Sequence, residues 1–210
     1  DKDEDYEYTS GDVGFTIAPV FNAAGRLQDA KMVVKLLISD NEREIDVIID
    51  ELLLKNMQRK TIQNEIFEES KKVLEQKSND YILIDSSKNY HHGVIGIVAS
   101  KIVDTYYKPA IIMEEKPEEG IAVASCRSIA SFNITKALQF CEKYLVKYGG
   151  HAGAAGFTIK IENIKKFSEA INEYAKKNLN QEDFYKLIEI DKVIPIQKIS
   201  YEFYKTLELL

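Results

Sequence analysis

Hydrophobic spacing divides this chain into two regimes. Between residues 41 and 77, Ile45, Ile48, Ile49, Leu52 and Leu53 recur at helical intervals with no Gly or Pro among them, which predicts one long helix. Continuing that stripe in steps of four and three reaches Asn56, Arg59 and Gln63, so the same face turns polar for about two turns. Either the helix leaves the core there and becomes a solvated connector, or these polar residues face a groove between two domains. Upstream, a strand-like run from Val13 to Val20 leads into Asn22-Ala23-Ala24-Gly25-Arg26-Leu27. Met32, Val33, Leu36 and Leu37 then predict a short helix over 29–39.

From residue 80 the pattern alternates. Apolar runs predict strands at 81–84, 109–113, 121–125 and 157–161. Helical spacing predicts helices over 93–106, 134–146 (with Asn133 as N-cap) and 164–177. Strands alternating with helices argue for a compact α/β domain. Short apolar runs around Pro195 close the chain, and an acidic, apolar-poor stretch opens it.

Composition excludes several classes. No apolar run approaches the roughly 20 residues of a membrane span, so no membrane role is expected. Cys126 and Cys141 fit neither a disulfide framework nor a zinc spacing and read as reduced core thiols, pointing to a cytoplasmic protein. The net charge of −6 argues against a general polyanion binder, but it is unevenly spread. Residues 79–180 carry 13 Lys and Arg against 11 Asp and Glu, whereas residues 1–78 carry 11 against 17.

The basic-leaning segment holds the densest chemistry. Gly149-Gly150-His151-Ala152-Gly153-Ala154-Ala155-Gly156 places four glycines and a histidine within eight residues. Glycine permits close backbone approach, so this run reads either as amides pressed against a phosphate or as a tight connection with a packed histidine. Arg127 and Ser128 follow the strand at 121–125, where ligand groups gather in α/β folds. Arginine matches phosphate oxygens with a planar fork, and serine adds a neutral donor. Arg26 reads equally as a phosphate ligand or as half of a structural ion pair. His91 and the helix start at Gly93 offer a second anion site or a simple helix cap. His91, His92 and His151 have no carboxylate at useful spacing, so no metal ligands and no catalytic residues are assigned to this chain.

Four segments occur in order: Ile17–Leu27 (IAPVFNAAGRL), Tyr90–Val103 (YHHGVIGIVASKIV), Ala124–Gln139 (ASCRSIASFNITKALQ) and Gly149–Gly156 (GGHAGAAG). Together the set resembles the RecJ family of single-stranded-DNA exonucleases, within the DHH phosphoesterase superfamily. Tyr90 stands where such sequences usually carry Trp. The resemblance implies an α/β fold in which a small mixed-sheet DHH-associated domain (79–180) is joined by a long helix (41–78) to the tail of a DHH catalytic domain (1–40). Residues 181–210 then resemble the truncated start of an OB-like domain, and the chain reads as a piece of a longer protein.

That resemblance further implies a 5′-to-3′ exonuclease of DNA repair and recombination, using Mn²⁺ or Mg²⁺ held by the upstream DHH domain of the same polypeptide. It makes single-stranded DNA the partner. Gly149, Gly150, His151, Arg127, Ser128, Arg26, Asn56 and Arg59 become the expected phosphate or nucleic-acid contacts, and the fragment alone is expected to be inactive. The alternatives are a DHH phosphodiesterase acting on cyclic dinucleotides or short oligoribonucleotides, and a non-catalytic nucleic-acid-binding module.

Overall fold

The computed structural model describes residues 7–209. The chain opens in helix: α1 (Ser10–Asp12), a π-helical turn Val13–Ile17, and α2 (Ala18–Leu27) follow without a break. The strand expected over 13–20 is therefore corrected to helix. Pro19, which has no N–H to give, falls where the π-helical turn passes into α2. The face carrying the fully buried Ala23 and Ala24 meets the next long helix rather than a strand. α3 (Lys31–Ile38) leads to α4 (Glu42–Glu75), capped by Asn41, whose side chain accepts a hydrogen bond from the Glu44 amide.

One stripe of α4 stays buried or half-buried along its length, but its chemistry changes. Ile48 and Leu52 pack near α2, then Asn56 and Arg59 follow, and Ile66, Phe67 and Leu74 re-enter an apolar core. The helix does not become a solvated connector at its polar stretch, because Asn56 is only 8% exposed.

Beyond α4 lies a five-stranded mixed sheet in the order β1-β2-β3-β5-β4. β1 (Leu83–Ser87) pairs parallel with β2 (Ala110–Lys116) through the crossover helix α5 (His92–Tyr106). β3 (Ile121–Arg127), β5 (Ala154–Lys160) and β4 (Leu145–His151) complete it antiparallel. α6 (Ile134–Phe140) and α7 (Ile164–Asn178) cover one face, burying Ala124, Cys126, Phe157 and Ile159 against Phe167 and Ile171. α5 and the C-terminal half of α4 cover the other face at β1 and β2, over Leu83, Ala110 and Ile112.

Several expected boundaries move, β2 and β3 running on to Lys116 and Arg127 and β5 starting at Ala154 rather than at residue 157. The helix expected over 134–146 ends at Phe140, and a 3₁₀ turn (Glu142–Tyr144) turns the chain into β4. The first strand begins at Leu83, two residues later than expected, because the Tyr81 and Ile82 amides are bound by the Asn172 side chain instead. Residues 179–209 form short helical pieces, including α8 (Tyr201–Leu207), and no strand. Among the described residues no helix is long and apolar enough to cross a membrane.

Candidate functional site

α2, α4, α5 and β3 meet at a cluster of three arginines. Arg26, in the last turn of α2, donates from Nη1 to the Gly93 carbonyl at 3.1 Å. Gly93 lies in the first turn of α5, and a Cβ there would sit 2.0 Å from the Arg26 carbonyl oxygen. Glycine is what lets the two helix ends touch. One turn on, a Cβ at Gly96 would lie 3.0 Å from Ser125 Oγ and 3.2 Å from Arg127 Nη2. The Arg127 guanidinium thus lies against α5, with Nη1 donating to the Cys126 carbonyl at 2.8 Å and to Ser125 Oγ at 3.3 Å.

Arg59 approaches from α4. Its guanidinium donates to Asn56 Oδ1 at 2.6 Å and to Gln63 Oε1 at 2.7 Å, so two neutral side chains one turn away on each side fix its fork. Burial lowers the pKa of Arg59 below its ordinary value, and the nearby charge of Arg26 lowers it further. Burial is also the largest cause lowering Arg127, partly opposed by Cys126 and reinforced by Arg26. Arginine keeps its proton under such shifts, so they register three like charges held together in a half-buried place.

No described carboxylate lies within 4.0 Å of any of the three. The ion-pair reading of Arg26 therefore does not hold among the described residues. The three guanidiniums are thus held in one place with no described counter-ion beside them.

The glycine-rich segment is not a loop. It is the end of β4, a two-residue turn and the start of β5. Gly150 takes φ +149°, and a Cβ there would lie 2.4 Å from Ala154 O and Ala155 Cα, so this glycine shapes the hairpin itself. His151 pairs in register with Ala154, and Ala154 with Arg127, so His151 and Arg127 share one face of the sheet two strands apart. His151 is exposed, and its Nδ1 accepts from the Gly153 amide at 3.3 Å, leaving Nε2 to present the N–H outward.

The other expected residues divide. Arg26, Asn56, Arg59 and Arg127 are brought together, and Gly149 and His151 lie on the sheet face that carries Arg127, whereas Gly150, in register with Ala155 and Cys126, belongs to the opposite face. The Ser128 hydroxyl donates to the Phe132 carbonyl at 2.7 Å and its amide to Gly153 O at 2.9 Å, so Ser128 ties the end of β3 to the hairpin turn. His91 caps α5, accepting at Nδ1 from the Gly93 amide at 3.1 Å. Asn133 caps α6 as expected. Sequence reasoning assigned no role to Ser125 and Gly96, whose roles arise from contacts between elements that local spacing does not encode.

Among the described residues no group of three or more His, Cys, Asp or Glu side chains is placed to hold a metal ion. Both cysteines are free and buried; burial drives the Cys126 thiol pKa upward and that of Cys141 to about 11.

A DHHA1 domain model matches residues 79–177. The chain is 38% identical over 191 residues to the single-stranded-DNA-specific exonuclease RecJ of Bacillus subtilis, covering 90% of this chain and 24% of that protein. It is 32% identical over 208 residues to RecJ of Haemophilus influenzae, covering 93% of this chain and 36% of that protein. The crystal structure of RecJ from Thermus thermophilus in complex with Mn²⁺ superposes with a TM-score of 0.71 at 31% identity, over 82% of this chain and 26% of that one. A second crystal structure of that protein is in complex with Mg²⁺. The chain thus spans a quarter to about a third of the length of the curated relatives it matches.

Proposed function

Because this chain belongs to the RecJ family, we propose that it is the strand-holding part of a metal-dependent single-stranded-DNA exonuclease. In this reading Arg26, Arg59 and Arg127 bind one phosphate of the strand, with Asn56 orienting Arg59. His151 adds a donor on the same sheet face, Gly149 allows close approach there, and Gly150 shapes the hairpin that presents them. Ser128 positions the hairpin against β3. The observation that carries the reading is the convergence of three carboxylate-free guanidiniums from α2, α4 and β3.

The described residues do not fit a metal centre, so no chemical step is assigned to them. Mn²⁺ or Mg²⁺ would be held by an upstream DHH domain of the same polypeptide and would supply the activated water. The contribution of this chain is then positioning: a phosphate gripped by fixed forks sets where the adjacent bond lies. Residues 1–40 would be the tail of that domain, 41–78 the connector, 79–180 the binding domain and 181–210 the start of another. The intact protein would act from the 5′ end, in the cytoplasm, in repair and recombination.

Fluorescence anisotropy of this chain with labelled oligothymidylate, at two salt concentrations, tests the proposal. Binding that weakens with salt, and that falls at least tenfold in both Arg127→Gln and Arg59→Gln, is the expected result. Equal affinity in the wild type and both variants would overturn it. Preference for a dinucleotide over the longer strand would instead indicate a short-substrate phosphodiesterase.

A further inference from the structure

The strands beyond β3 leave half of one sheet face without a covering helix. In register, Val123, Thr158 and Lys147 form one row across β3, β5 and β4; Ser125, Gly156 and Gly149 form the next; Arg127, Ala154 and His151 form the last. All nine lie on the face opposite Ala124, Cys126 and Phe157, the side that carries α5. Over the first two rows is a shallow depression of about 300 Å³ lined by Val123, Lys147, Gly149, Gly156 and Thr158 among others.

Three details of that depression bear on what it can hold. A Cβ at Gly149 would meet nothing within 4 Å, and its φ lies outside the left-handed region, so neither packing nor backbone conformation requires glycine there. Thr158 is only 6% exposed, and it lines the depression between Val123 and Lys147. Lys147 is exposed and has no carboxylate within 4.0 Å among the described residues. The carboxylate in the Lys147 row is Glu114, across the sheet on β2, where it faces His92 at 3.4 Å. The open half of the face is therefore glycine-floored, cationic at both ends and continuous with the arginine cluster.

We propose that the single strand continues from Arg127 and His151 over Gly149 and Gly156 to Lys147, which binds a second phosphate, with the Thr158 hydroxyl serving the same stretch. This rests on the strand-holding function proposed above. The Arg127 and Lys147 rows are four residues apart along the strands, about 14 Å. That equals roughly four phosphate steps of a stacked strand at about 3.4 Å each, and fewer of an extended one. A dinucleotide bound at Arg127 does not reach Lys147.

The test uses the full chain, a labelled oligothymidylate of about 12 nucleotides, and thymidine dinucleotide as competitor. Lys147→Gln is expected to weaken the long strand by about three- to fivefold at low salt. It should also lower the salt slope by about 0.7, as for one lost phosphate contact on a single strand. Dinucleotide affinity should not change. Gly149→Val should weaken the long strand with no fall in melting temperature, since glycine is a poor strand residue and the space is empty. Long-strand binding and salt slope equal to wild type in Lys147→Gln overturns the extended track while leaving the arginine site standing. Loss of dinucleotide binding in Lys147→Gln overturns it too, by placing Lys147 in the first phosphate site. If the unsubstituted chain binds neither probe, the parent proposal and this one fall together.

Discussion

Arg26 and Gly93 grip each other twice: the arginine side chain donates to the glycine carbonyl, while the arginine carbonyl fills the space where a glycine Cβ would be. Gly93→Ala would force a Cβ against backbone at 2.0 Å, with no flexible side chain to give way. The expected cost is about 3 kcal/mol, the upper end for overpacking. In a chain of this size that lowers the melting temperature by about 6–12 °C. A thermal melt followed by circular dichroism checks this, and a melt within 2 °C or so of wild type contradicts it.

The three arginines carry like charges, and in the proposed function a phosphate joins them. Inorganic phosphate should therefore raise the melting temperature above that in chloride at matched ionic strength. At a concentration about ten times its Kd the gain is about 1.4 kcal/mol. Arg59→Gln should abolish most of the difference, because it removes the fork that Asn56 and Gln63 hold.

A buried polar triad joins α4 to the sheet. Ser70 Oγ and Tyr90 Oη both donate to Asp85 Oδ2, at 2.8 and 2.6 Å. Burial, then the bond to Asp85, raises the Tyr90 pKa above the ordinary tyrosine value. A raised folded pKa means stability that is complete below the unfolded value, about 10, and is lost as pH climbs beyond it. Tyr90→Phe should cost about 1–2 kcal/mol at pH 7 by leaving Asp85 short of a donor. The gap between wild type and variant should narrow above pH 10 or so in urea titrations. A gap that widens there contradicts the assignment.

The thiols offer a simpler check. Cys126 is fully buried, and burial holds the Cys141 thiol at a pKa of about 11. Neither should react with Ellman's reagent in the folded chain at pH 8 or so, and both should react on unfolding. Rapid reaction of one thiol without denaturant would show that the core around α6 opens.

Much of this arrangement is legible along the chain, for identifiable reasons. The long helix declares itself because its buried stripe keeps one phase, and the polar residues within that phase marked a special place. Asn133 was readable because a cap is a local interaction. β4 was not, since most of its residues are exposed and no alternation develops, while its glycines suggest a loop. Residues 13–20 misled because alternating Val13, Phe15 and Ile17 mimics a strand, whereas the small Ala23 and Ala24 surface decides in favour of helix packing. The meeting of Arg26, Arg59 and Arg127 depends on Gly93 and Gly96 admitting close neighbours, which no spacing rule records.

α4 imposes a constraint of phase on everything attached to it. At about 1.5 Å per residue its 34 residues make a rod about 50 Å long. Ile48 and Leu52 seat one end against α2, and Ser70 and Leu74 seat the other against the sheet. A single inserted residue near Met57 would turn one seat by about 100° relative to the other and pull Arg59 off its partners. An insertion of about seven residues restores the angle, yet separates the seats by about 10 Å. The rod therefore works as a keyed shaft: its length and rotation are both set by the two seats and by Arg59 between them, so substitutions along it are tolerated more readily than insertions or deletions.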